Sequence, residues 1–70
     1  MMHPLRKLRL EKFLTQEELA KKTEVSRTSI HNIERDIHKP TGLTCAKLAN
    51  FFGMDIEEFQ QLLNTYKEAE

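Results

Sequence analysis

Residues 15–35 read TQEELAKKTEVSRTSIHNIER, and the reading of this stretch decides the fold. Thr15 followed by Glu18 is a T-x-x-E capping box, which satisfies two free N–H groups at a helix start. A helix therefore opens at Gln16 and runs through Leu19 and Ala20 to about Thr23. Thr23-Glu24-Val25 forms a tight turn, and Ser26 caps a second helix that buries Ile30 and Ile33 above Val25. The opposite face of that helix carries Arg27, Thr28, His31 and Asn32.

The flanks extend the same pattern. Pro4 fits the first turn of a helix, and Leu5, Leu8 and Arg9 share one face before Phe13 and Leu14 end it. Pro40 breaks the segment Ile37-His38-Lys39-Pro40 away from helix. Thr41 caps a further helix with Cys45, Leu48, Ala49 and Phe52 inward, and Gly53 stops it. Asp55 and Glu58 form a second capping box, opening a last helix with Ile56, Phe59, Leu62 and Leu63 inward. Residues 65–70 are expected to fray. The reading is all-α: one domain over residues 1–70, with helices near 5–12, 16–23, 27–35, 42–52 and 56–65.

Bulk properties narrow the function. Seventy residues bury only about 60% of their unfolded surface, so association with a second copy would add needed stability. At 39% hydrophobic and 31% charged, the chain has the composition of a globular domain. Its net charge is zero but unevenly spread. Residues 1–39 hold nine Lys/Arg against six acids, a net of +3, and residues 40–70 hold two against five, a net of −3. A basic front thus opposes an acidic back.

Catalysis finds little support. Cys45 lies on an apolar stripe, where it reads as a small core residue rather than a nucleophile. His31 and His38 have poor spacing for a metal pair, and no acid completes a ligand set. Two glycines leave no phosphate-cradling loop. The expectation is a protein that is not an enzyme, with no cofactor, metal or small-molecule ligand. A single cysteine, no long apolar run and a charged N-terminal segment point to a cytoplasmic protein without a membrane partner.

The polar row on the helix after Ser26 suits duplex DNA. Arg takes guanine O6 and N7 in a fork, Asn takes adenine N6 and N7, and the Thr methyl meets the thymine methyl. Ser26, Arg27, Thr28 and Asn32 would then read base edges, with Gln16 near a phosphate at the preceding helix start. A solvated helix face would carry the same residue types, so the pattern by itself leaves both readings open.

The segments LTQEELA (residues 14–20), VSRTSIHNIE (25–34) and GMDIEEF (53–59) resemble the phage-repressor helix-turn-helix family, also called Cro-like or XRE-like. The likeness covers about residues 5–63 and implies a five-helix, lambda-repressor-like DNA-binding fold. It implies base contacts at Ser26, Arg27, Thr28 and Asn32, and phosphate contacts at Gln16, Arg35, His38 and Lys39. It also implies a partly buried ion pair between Arg9 and Glu34, both of which stand on otherwise apolar faces.

Three positions depart from the family pattern. Glu24 stands where Gly is usual in the turn, Cys45 replaces a larger aliphatic residue, and Gly42 weakens a helix start. Leu10, Phe13, Ile37, Leu43 and Phe51 lie off the apolar stripes, which favours a covered patch between two copies. The function implied is a sequence-specific transcriptional regulator, a repressor binding a palindromic operator as a homodimer. Alternatives of the same fold are an antitoxin, a restriction-modification controller, or a protein-interaction scaffold that does not bind DNA.

Overall fold

The computed structural model describes residues 2–66. Five helices follow in order: α1 (Pro4–Glu11), α2 (Gln16–Thr23), α3 (Arg27–Glu34), α4 (Gly42–Phe51) and α5 (Ile56–Thr65). Each starts where a side chain can meet backbone N–H groups that have no helical partner. Thr15 Oγ1 accepts from the Glu18 N–H at 3.0 Å while the Thr15 N–H donates to Glu18 Oε1 at 2.8 Å, closing the capping box of α2. Ser26 and Thr41 accept from Ser29 and Thr44 at 3.0 and 3.3 Å, and the Asp55 N–H donates to Glu58 at 3.2 Å. The cap of α1 is His3, whose Nδ1 accepts from the Leu5 N–H at 3.0 Å.

Four helix ends share one geometry. After α1, the Phe13 N–H returns to the Leu10 carbonyl at 2.9 Å and the Leu14 N–H to that of Arg9 at 3.2 Å. Asp36 and Ile37 repeat this pair of bonds after α3, and Gly53 and Met54 after α4. After α2, the Val25 N–H reaches the Ala20 carbonyl at 3.3 Å. These closures require a left-handed residue, normally glycine. Only Gly53 is one; Phe13, Glu24 and Asp36 adopt φ of 58°, 58° and 57°. A side chain in that region costs roughly 1–2 kcal/mol.

The core takes Leu5 from α1, Leu19 from α2, Ile30 and Ile33 from α3, Cys45, Leu48 and Ala49 from α4, and Phe59 and Leu63 from α5. Val25 joins them from the α2–α3 turn. Each large apolar side chain so buried contributes roughly 1.5–3 kcal/mol. Burial pushes the Cys45 thiol pKa up, which keeps it protonated and a packing group.

One assignment needs correction. Ile56 is 44% exposed rather than inward. It is the first residue of α5, so its side chain leans back past the helix end and clear of the core. Phe51, off the apolar stripe of α4, is half-buried, its ring meeting Phe52 edge-on at 5.1 Å. Leu10, Phe13, Ile37 and Leu43 are exposed, as their positions off the stripes implied. The fraying expected over residues 65–70 lies, past Tyr66, outside the described residues. Among the described residues no helix is long and apolar enough to cross a membrane.

Candidate nucleic-acid interface

Helix α3 is held from its buried side and open on the other. Arg9 of α1 reaches Glu34 at the end of α3 through two bonds, Nε to Oε2 at 2.7 Å and Nη2 to Oε1 at 3.0 Å. Arg9 Nη1 also donates to the Leu14 carbonyl at 2.8 Å, and Gln16 Nε2 donates to Glu34 Oε1 at 3.1 Å. Glu34 thereby ties α1 to the first residue of α2, and Arg9 holds the α1–α2 turn as well. The bond to Glu34 raises the Arg9 pKa further, against the pull of burial. At the other end of α3, Lys47 Nζ donates to the Glu24 carbonyl at 3.3 Å, bracing the α2–α3 turn from α4.

Arg27 and Thr28 are exposed, and their side chains make no hydrogen bond or ion pair among the described residues. Ser26 is different. Its hydroxyl accepts the Ser29 N–H and donates to Ser29 Oγ at 2.8 Å, so it is engaged in holding the helix start. Asn32 is half-buried on the flank of α3. It lines a groove of about 260 Å³ with Ser29, His38, Lys39, Thr41 and Thr44. Asn32 also receives the Ile37 N–H on its carbonyl at 2.9 Å, which folds the connector back along α3.

The residues assigned to phosphates divide into separate places. His38 and Lys39 border the Asn32 groove. The Lys39 ammonium, however, lies 3.5 Å from Asp36 and 3.4 Å from the Leu63 carbonyl, directed to the end of α5. Arg35 borders another cleft, with Arg6, His3 and Asp36. Gln16 gives one amide hydrogen to Glu34 and keeps its carbonyl side clear of that bond. Sequence reasoning passed over Ser29, Thr41 and Thr44 as groove residues. Ser29 sits three positions before Asn32 and shares its flank, a spacing the sequence shows; Thr41 reads from the sequence as a cap alone, and nothing there marks Thr44.

A family model described as helix-turn-helix matches residues 5–59, which takes in α1 from its second residue, α2, α3 and α4 whole, and the start of α5. The chain belongs to the XRE-like helix-turn-helix family. This helix-turn-helix protein is also similar to an uncharacterised HTH-type transcriptional regulator of Methanocaldococcus jannaschii, with 49% identity over 45 residues. That segment is 64% of this chain and 68% of the relative. No solved structure gives a significant match. The helix-turn-helix protein is thus a DNA-binding transcriptional regulator.

Proposed function

We propose that this regulator is a cytoplasmic repressor that binds a palindromic operator as a homodimer, with α3 laid in the major groove. The observation that carries the reading is the free, exposed pair Arg27 and Thr28 on a helix whose other side is fixed by Arg9, Gln16 and Glu34. Asn32 completes the reading row from the flank, and Ser26 adds its backbone and hydroxyl edge at the helix start. Gln16, Arg35, His38 and Lys39 set the register on the phosphates. Exposed Leu43 and Ile56 supply apolar surface for pairing two copies, and two-fold pairing would place successive half-sites about 34 Å apart.

Selection of bound sequences from random duplex DNA tests this directly. A repressor dimer recovers an inverted repeat with half-sites one helical turn apart. An unsymmetrical single site would remove the homodimer, and absence of any enriched motif would remove sequence reading by α3.

A further inference from the structure

Phe13 is anomalous on two counts. The residue is 93% exposed and its backbone is left-handed, so the position carries both strain and apolar area in water. The other two left-handed side-chain-bearing residues are polar and anchored: Asp36 lies 3.5 Å from Lys39, and the Glu24 carbonyl accepts from Lys47. Among the described residues the Phe13 ring makes no ring or cation contact.

Its surroundings have a defined chemistry. Lys12, the preceding residue, holds its ammonium 5.7 Å from the centre of the Phe51 ring. Phe51 lines a cleft of about 290 Å³ with Lys22, Lys47 and Glu24. Exposed Leu10 lies one turn before Phe13 and is joined to it through the carbonyl that receives the Phe13 N–H. Lys12 thus links the α1–α2 turn, which carries Phe13, to the Phe51 cleft at the C-terminal ends of α2 and α4, where Lys22 and Lys47 stand. Glu24 is the one acid lining that cleft. None of the residues assigned to base reading belongs to it.

We propose that this surface docks an acidic, amphipathic segment of a partner protein, with apolar side chains on Phe13 and in the Phe51 cleft and carboxylates on the three lysines. Charge decides among the possible occupants. Two copies of the face brought together would set lysine against lysine. A second copy offering Asp55, Glu57 and Glu58 would make a head-to-tail contact that extends rather than closes. Phosphate would satisfy the lysines but leave Phe13 and Phe51 against a highly charged backbone. An acidic-apolar peptide satisfies both parts.

Panning short random peptides displayed on phage against the full chain tests the inference. Enriched peptides should combine Asp or Glu with Leu, Phe or Trp. They should bind Phe13→Gly and Lys22→Glu at least tenfold more weakly, the loss typical of a central aromatic anchor. Glycine accepts the left-handed backbone, so Phe13→Gly keeps the fold, and circular dichroism checks that it does. The proposal is overturned if no such peptides are enriched, or if they bind both variants as they bind the parent. It is also overturned if Phe13→Gly converts a sedimenting dimer to monomer, which makes a second copy the occupant, or weakens binding to duplex DNA, which assigns the face to phosphate.

Discussion

The guanidinium of Arg9 grips the carboxylate of Glu34 through two bonds of 2.7 and 3.0 Å, with both side chains less than one-tenth exposed. The pair locks α1 to the far end of α3, and so sets the direction in which α3 presents Arg27 and Thr28. Removing one partner leaves the other charge buried without compensation, at a cost of about 3–5 kcal/mol. Arg9→Met should therefore lower the urea midpoint severely. The double variant Arg9→Met/Glu34→Leu should regain most of the loss, because no orphaned charge remains. A single-variant cost below about 1 kcal/mol would place the pair with exposed ion pairs and deny it this role.

Glu24 tests the strain in the reading motif. Its left-handed backbone is demanded by the closure of α2, and its bonds to Ala20 and Lys47 are made by its backbone N–H and carbonyl, which glycine also supplies. Glu24→Gly should stabilise the fold by roughly 1 kcal/mol, seen as a rise in Tm of about 4–8 °C for a domain of this size. An unchanged or lower Tm would mean that the greater freedom of glycine in the unfolded chain offsets the relief of strain.

These helix ends also show where the sequence was legible and where it was not. Helix starts were readable because Thr15, Ser26, Thr41 and Asp55 are the residue types that bond free N–H groups, and each stands just before an apolar repeat. A glycine marks the left-handed closure at Gly53 alone. Phe13 and Asp36 make the same closure with backbones that their side chains disfavour, so composition gives no sign of it. His3 was missed for a related reason: imidazole is an uncommon cap, and its role needs the Nδ1 tautomer turned onto the Leu5 N–H. Ile56 matched the α5 stripe by spacing, yet a residue in the first turn leans off the helix end. Arg9 and Glu34 were conspicuous as charges on apolar faces. By contrast, the diversion of Lys39 toward Asp36 and Leu63 depends on how the connector folds, which no local pattern records.

His3 should make stability pH-dependent. Its ring is buried, with only 4% exposure, and lies 4.8 Å from the Tyr66 ring while capping α1. Burial lowers its pKa from the ordinary 6.5, with Lys39 adding to the effect and Asp36 and Glu34 opposing it. Between the lowered value and 6.5 the unfolded chain binds more protons than the folded one, so stability rises with pH there. The His3 contribution is thus complete above pH 6.5 and is lost as the pH falls through the folded pKa. Protonation also removes the acceptor that caps α1. Thermal melts across pH 5–8 should show this step, and His3→Asn, a cap that does not titrate, should abolish it. A step that persists in His3→Asn would assign it to another group.

Base reading and phosphate contact separate by their dependence on sequence. Arg27→Ala and Asn32→Ala should each cost about 1–3 kcal/mol on the selected operator and relax preference at one base pair. On random DNA, Asn32→Ala should change little. Equal losses on operator and random DNA would make both residues general backbone contacts.

Arg35 and Lys39 should not behave alike, although the sequence offers both as phosphate contacts. Arg35 is exposed at the end of α3, and its side chain has no ion pair among the described residues. Lys39 is shared between Asp36 and the Leu63 carbonyl, and must leave both to reach a phosphate. Arg35→Ala should reduce the slope of log affinity against log salt by about 1, with the loss uniform across DNA sequences. Lys39→Ala should lower the slope by less and instead loosen the contact between the connector and α5. A second effect follows from the Asp36–Lys39 pair: Asp36→Asn frees the ammonium, so it should strengthen DNA binding at low salt, and the gain should vanish in the Asp36→Asn/Lys39→Ala double variant. If Lys39→Ala flattens the salt slope as much as Arg35→Ala, the lysine leaves its intramolecular partners when DNA binds, and the α3–α4 connector belongs wholly to the interface.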